Sequence, residues 1–305
     1  MRASRADWLI FLALGFMWGS SYLFIKIAVD DFGTFTLVAL RLAIGALLLW
    51  TVVRLARQRL PREAATYGHL VVMAILNIAL PFALITWAEQ GVDSSLAAVL
   101  TGLVPLFVAV LAPLFIPDEP LRAGGVVGLV VGFLGVIVLT SRGLGGSGSD
   151  IMGDVALVGS SVSYAAGGVY TRRYVRKLPP MIPAVFQVTI AFLITGTIAI
   201  ALERPWDARP DLAAVFAIVW LGLLGSGLAY LAFFRLLSRW GATRTALVAY
   251  VLPVVGIALG FVVLGEPIDA RMLAGTALII AGVGVVNGAF GRLLTFVPRS
   301  VPKRA

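Results

Sequence analysis

The feature that most constrains this chain is a succession of uncharged apolar runs, each about 20 residues long and separated by short polar turns. A helix of that length crosses about 30 Å of hydrocarbon. Inside lipid the backbone finds no outside hydrogen-bond partner, so segments of this length must be helical. The runs place spans at 8–28, 34–56, 66–88, 93–116, 121–140, 152–175, 181–202, 211–236, 243–264 and 271–290. They predict an all-α integral membrane protein of ten transmembrane helices. Composition agrees: 60% of the 305 residues are hydrophobic and only 13% are charged, where a soluble domain carries about a quarter. Spans and turns take up nearly all the length, so no separate soluble domain fits. The run from Trp8 to about Ala28 follows Arg2 and Arg5, as in a signal peptide. It is too long for such a segment and has no small-residue cleavage site behind it, so it reads as the first span.

The formal net charge of +9 invites a nucleic-acid reading. The basic residues, however, sit in short loops between spans rather than in a patch, which excludes nucleic acid and makes the lipid bilayer the partner. Eighteen of the 24 Lys and Arg residues fall on the side of the N-terminus, five on the opposite side, and Arg41 within a span. That bias predicts cytoplasmic termini. The chain has no cysteine and one histidine, His69, near a span end. Disulfides and cysteine-ligated metals are excluded, no cofactor is predicted, and nothing in the pattern fixes an oligomeric state beyond allowing a monomer.

The chain repeats itself. Asp7, Glu119, Gly128 and Gly135 recur as Asp154, Glu266, Gly275 and Gly282, each 147 residues later, and Pro105 recurs as Pro253 after 148. Both halves end with an apolar run carrying a mid-span proline, then Glu-Pro, then a glycine-rich span. The reading divides the chain into 1–140, a linker at 141–151, a second repeat at 152–291 and a basic tail at 292–305. Five spans per repeat is odd, so the second half is inverted, a plan common in secondary transporters.

The residues carrying this pattern resemble the drug/metabolite transporter superfamily in its EamA branch. They are Trp18-Gly19-Ser20-Ser21 with Lys26, Leu40-Arg41, Ala246 with Pro253, Gly265-Glu266-Pro267, and Gly275 with Gly282. Pro117-Asp118-Glu119-Pro120 departs from the family's Gly-Glu. The likeness covers nearly the whole chain and is greatest to YddG-type bacterial exporters of aromatic amino acids. It implies a bacterial inner-membrane exporter of small molecules, amino-acid-like ones included. The two repeats would surround a central cavity lined by the first, third, fourth, sixth, eighth and ninth spans.

On those spans the mid-depth polar and aromatic residues are Trp18, Tyr22, Asn77, Thr101, Ser163, Tyr164, Ser226, Tyr230 and Tyr250. Aromatic faces stack on an apolar or aromatic group and their polar edges orient it. Each residue is equally a candidate for packing or hydrogen bonding between helices. Asn77 faces substrate or bonds a carbonyl freed by Pro81. Arg41 is either functional, as intramembrane charges usually are, or a long side chain reaching an interface from a peripheral span. Lys26, Glu89 and Asp93 near span ends form an external gate or are solvated charges. Pro105 and Pro253 are expected to kink the fourth and ninth spans, as hinges or as fixed bends. No carboxylate falls at mid-depth as a proton relay, which favours facilitated diffusion or exchange.

Other classes fit less well. Ser226 stands between Gly225 and Gly227, but an intramembrane serine protease needs a histidine at its depth, and His69 lies at a span end. Asp30-Asp31 stands alone, without the carboxylate cluster a metal-dependent membrane enzyme requires. A channel lacks a filter motif or charged ring here. Other metabolites, organic cations and drugs remain alternative cargoes.

Overall fold

Every apolar run folds as a helix. The computed structural model describes residues 4–58, 60–61, 63–116, 123–141, 151–175, 178–241 and 245–286. The helical rods are α1 (Arg5–Ala28), α2 (Thr34–Leu55), α3 (Ala64–Ala88), α4 (Ser94–Phe115), α5 (Ala123–Thr140), α6 (Ile151–Tyr174), α7 (Met181–Leu202), α8 (Leu212–Trp240), α9 (Ala246–Leu264) and α10 (Ala270–Val286). No strand occurs among the described residues. Seven rods are long and apolar enough to cross a membrane by themselves, and α5 and α10 are shorter apolar helices. The remaining rod, α6, is the most polar, yet its Ser160, Ser161 and Ser163 are buried between neighbouring helices. Glu119, the 142–150 part of the linker and the basic tail lie outside the described residues.

Contacts between helix ends fix how the rods alternate. Call the end that carries the start of α1 proximal and the other distal. At the proximal end Arg239, closing α8, pairs with Asp7 of α1 at 2.9 Å, and Arg173, closing α6, donates to Phe115 O at the end of α4. At the distal end Lys26 of α1 donates to the turn after α3, and Arg271 of α10 donates to Ser141 O after α5. These contacts, with the short turns between rods, fit an arrangement in which each rod runs opposite to the one before it.

Two distal carboxylates tie the halves together as helix caps. Glu203, just after α7, accepts the backbone N–H groups of Phe35 and Thr36 at 2.9 and 2.7 Å and the Thr36 hydroxyl at 2.8 Å. Glu266, just after α9, accepts the N–H groups of Ser94 and Ser95 at 2.8 and 2.9 Å and the Ser95 hydroxyl. The first N–H groups of a helix lack intrahelical partners and attract negative charge. Neither α2 nor α4 has a side-chain cap of its own, so the other half supplies it.

The halves are inverted. Three rods pack on their own repeat counterparts, α2 on α7, α4 on α9 and α5 on α10. Each of these pairs is antiparallel. On α5 and α10, Gly128 faces Gly282 and Val286 while Gly135 faces Gly275 and Ile279. A Cβ at Gly128 would lie 2.6 Å from Gly282 O, so side chains there would separate the backbones. Trp50 bonds Thr189 near one end of the α2–α7 pair, and Thr36 bonds Glu203 at the other. The remaining contacts obey the same exchange: α1 packs on α8 and α9, and α6 on α3 and α4. A helix lies antiparallel to its own counterpart only when the axis relating the halves lies across the rods, in the membrane plane.

Candidate functional site

The regular helix fails at equivalent places in the two halves. Ile75–Ala79 of α3 and Leu221–Leu228 of α8 are π-helical, and residues 75–79 map onto 222–226 at the repeat offset of 147. Leu80 N–H bonds Ile75 O and Ala229 N–H bonds Leu224 O, each a five-residue step. In α3 the cause is Pro81, which has no N–H to offer the Asn77 carbonyl. In α8 it is the glycines at 222, 225 and 227, which weaken the α-helix. Such segments expose carbonyls, and each half covers those of the other. Ser163 of α6 donates to Leu76 O at 2.8 Å, and Trp18 Nε1 of α1 donates to Gly225 O at 3.3 Å.

The proline spans are broken as well. A turn at Gly102–Leu103 divides α4, and Pro105 lies in the first turn of the second segment. In α9 a 3₁₀ stretch, Ala246–Tyr250, precedes the α-helix that contains Pro253. The breaks face each other, since a Cβ at Gly102 would sit 3.3 Å from the Pro253 ring. Ser161 of α6 donates to Leu100 O at 2.9 Å, next to the break in α4.

Four interrupted helices therefore surround a centre where most of the sequence-predicted residues meet. The rings of Trp18 and Tyr230 meet edge to face at 6.2 Å, and Trp18 also packs on Phe233. Tyr22 is buried and reaches the Thr101 hydroxyl, which also bonds Ala97 O. Tyr164 and Tyr250 pack, half-buried, against the large core cluster that contains Tyr22. Asn77 does not bond a carbonyl freed by Pro81: its Nδ2 donates to Thr171 Oγ1 at 3.1 Å, and Gly167 leaves room for its carbonyl oxygen.

Arg41 overturns the expectation that it extends to an interface from a peripheral span. It is 3% exposed and turns inward. Its Nε donates to Ser226 Oγ at 3.2 Å, and its guanidinium carbon lies 4.4 Å from the centroid of the Phe82 ring. Tyr22, Tyr164, Tyr230 and Glu89 are within electrostatic range. Two glycines explain the direction. Gly45 brings α2 against Ser226, and a Cβ at Gly225 would sit 3.1 Å from Arg41 Nη2.

The distal charges differ from the sequence reading too. Glu89 is fully buried rather than solvated, and neither carboxylate oxygen has a hydrogen-bond partner among the described residues. Lys26 is half-buried and donates to two backbone carbonyls, Glu89 O at 2.7 Å and Val92 O at 3.0 Å. Asp93 occupies the N-cap position of α4, whose first N–H groups Glu266 caps, and is half-buried. At the proximal end, a cluster missed in the sequence joins His69, bonded to the Tyr170 hydroxyl at 2.7 Å and stacked on Tyr174 at 5.0 Å. A cleft of 660 Å³ opens on the flank between α2, α3 and α7, beside Leu84, Trp87 and Ile194 and away from Tyr22 and Tyr230.

Comparison with known proteins agrees with this architecture. The model of the EamA-like transporter family matches residues 6–141 and again 151–288. An uncharacterized inner membrane transporter of Escherichia coli is 30% identical over 281 residues, which cover 91% of this chain and 90% of that protein. An uncharacterized transporter of Bacillus subtilis is 29% identical, covering 92% and 90%. A protein of Salmonella typhimurium named a probable amino-acid metabolite efflux pump is 24% identical, covering 92% and 94%. A solved crystal structure shares the fold with a TM-score of 0.68 at 22% identity, covering 96% of this chain and all of the other.

Proposed function

This chain belongs to the EamA-like transporter family and is a multi-pass membrane transporter, and from that premise we propose that it exports amino acids, aromatic and hydrophobic ones among them, by alternating access. The observation that carries the reading is the set of interrupted helices at equivalent positions of inverted halves, with Trp18, Tyr22, Tyr164 and Tyr230 between them. Broken helices at equivalent positions mark substrate sites in transporters of this plan. Aromatic walls suit an aromatic or aliphatic side chain. Asn77, Thr101, Ser163 and Ser226 offer polar atoms to the rest of the molecule, and Tyr250 closes the set. The relative named an amino-acid metabolite efflux pump supports the same substrate class.

Alternation is supported by a pair of basic residues. Lys26 and Arg173 occupy equivalent positions, 147 residues apart. Lys26 closes the distal end by holding the carbonyls of Glu89 and Val92. The positions equivalent to those two are Leu236 and Arg239, but Arg173 is exposed and bonds Phe115 O instead. The two ends thus differ although both carry a basic residue at the equivalent position, as the ends of a carrier closed on one side do. With the termini in the cytoplasm, the distal end faces outward across the bacterial inner membrane. In the opposite state Arg173 takes the role of Lys26, with Pro105 and Pro253 at the bends.

The test is counterflow. Proteoliposomes loaded with unlabelled phenylalanine should take up labelled phenylalanine with a saturable overshoot, reduced at least tenfold by Asn77→Ala or Tyr230→Ala. Uptake without overshoot would replace the carrier with a pore, and no uptake of phenylalanine, tryptophan, threonine or methionine would remove the amino-acid assignment.

A further inference from the structure

Arg41 is a full positive charge on the eighth residue of α2, about 10 Å along the helix from its distal start. It is 97% buried, yet no acidic side chain lies within ion-pair distance of it among the described residues. Among the described residues, Nε alone of its five N–H donors is engaged, by the Ser226 hydroxyl. One face of the guanidinium is covered by Phe82. Its Nη2 packs against Gly225, where a Cβ would lie 3.1 Å from Nη2 and 3.0 Å from the Ser21 hydroxyl. Around it stand Tyr22, Tyr164 and Tyr230, and the buried Glu89 is within electrostatic range but beyond ion-pair distance.

An unpaired charge taken from water is strongly unfavourable, and the deficit is made up when a counter-ion arrives. The guanidinium fork matches a carboxylate, to which it presents two parallel N–H donors. A tether from Nε to Ser226 fixes the plane of that fork while leaving its outer edge unused. Ser226 itself sits in the π-helical part of α8, so the orientation of the fork is set by the interruption in the helix.

We propose that Arg41 is the anchor for a substrate carboxylate, which makes the cargo a monocarboxylate with an apolar or aromatic tail and excludes organic cations that lack an acid group. This rests on the central site proposed above and narrows its substrate class. Tyr22, Tyr164 and Tyr230 receive the tail, Phe82 holds the guanidinium from behind, and Ser226 orients it. The amine of an amino acid adds nothing to this contact, so amine-free acids with the same tail bind as well.

The experiment uses the full chain in lipid nanodiscs and three probes: L-phenylalanine, 3-phenylpropionate, which lacks the amine, and phenethylamine, which lacks the carboxylate. Equilibrium binding is measured for the wild type, Arg41→Lys and Arg41→Gln. Both acids should bind the wild type at least about tenfold more tightly than phenethylamine, the scale of one charge-assisted contact. Arg41→Gln should erase that preference and Arg41→Lys retain part of it, which a merely structural arginine would not do. Equal binding of phenethylamine, or a preference unchanged in Arg41→Gln, overturns the assignment. Arg41-dependent binding of 3-phenylpropionate without phenylalanine removes the amino-acid reading and keeps the anchor. Phenylalanine counterflow without acid preference does the reverse. Absence of binding by all three probes overturns both. If Arg41→Gln does not fold, the wild-type preference alone decides.

Discussion

Glu266 shows how much one side chain does in this molecule. It follows α9 yet satisfies the first N–H groups of α4, and it is itself buried. Removing it leaves those donors without partners in a dry environment. Glu266→Ala should therefore cost about 2 kcal/mol or more, read as a lower melting temperature in detergent, with Glu266→Gln intermediate. A melting temperature unchanged in Glu266→Ala would show that the caps are not important to folding. Trp18 offers a second test. Trp18→Phe keeps the ring but loses the donor to Gly225 O, so it should lower transport while costing only about 1 kcal/mol of stability. At this scale the sequence carried residue types and positions along the spans but not side-chain directions. The polar and aromatic set was proposed from its positions along the spans. The inward turn of Arg41 was not, because it depends on Gly45 and Gly225, which belong to two helices far apart in sequence. Burial of Glu89 was hidden for the same reason: a position after the last turn of α3 looks solvated until α1 and α4 close over it.

At the scale of elements, the ten runs and their ends were legible because hydrocarbon tolerates nothing but helix at that length. The prolines predicted breaks in α4 and α9, and the chain does leave α-helical form there. The π segments of α3 and α8 carried a weaker signal, Pro81 in one and three glycines in the other, and nothing in apolar periodicity distinguishes a π step from an α step. Glycine placement makes a sharper prediction. A Cβ at Gly282 would lie 2.5 Å from Gly132 N and 2.6 Å from Gly128 O, while one at Gly124 would meet nothing within 4 Å. Backbone cannot retreat as a side chain can. Gly282→Leu should thus pry α10 from α5 and yield aggregated protein by size-exclusion chromatography, while Gly124→Leu gives a single folded peak. Equal behaviour of the two variants would contradict the antiparallel α5–α10 contact.

For the whole molecule, the repeat at 147 residues and the odd number of spans in each half were enough to predict inversion, and the antiparallel packing of α2 on α7, α4 on α9 and α5 on α10 displays it. The equivalent basic positions did not reveal that the two ends differ in this structure, since Leu236 and Arg239 stand in the second half where Glu89 and Val92 stand in the first. Lys26 holds its carbonyls and Arg173 does not hold the equivalent ones. Under the proposed alternating access that asymmetry becomes a rule: closing one end opens the other. The chain has no native cysteine, so the rule can be tested with introduced pairs. The measurement is disulfide cross-linking of Lys26→Cys with Val92→Cys at the distal end, and of Arg173→Cys with Arg239→Cys at the proximal end, in membranes with and without phenylalanine. Each cross-link should stop transport until it is reduced, and in the variant carrying both pairs, locking one end should suppress cross-linking at the other. Both bonds forming together in the same molecules, with transport intact, would contradict a carrier that works by alternating access.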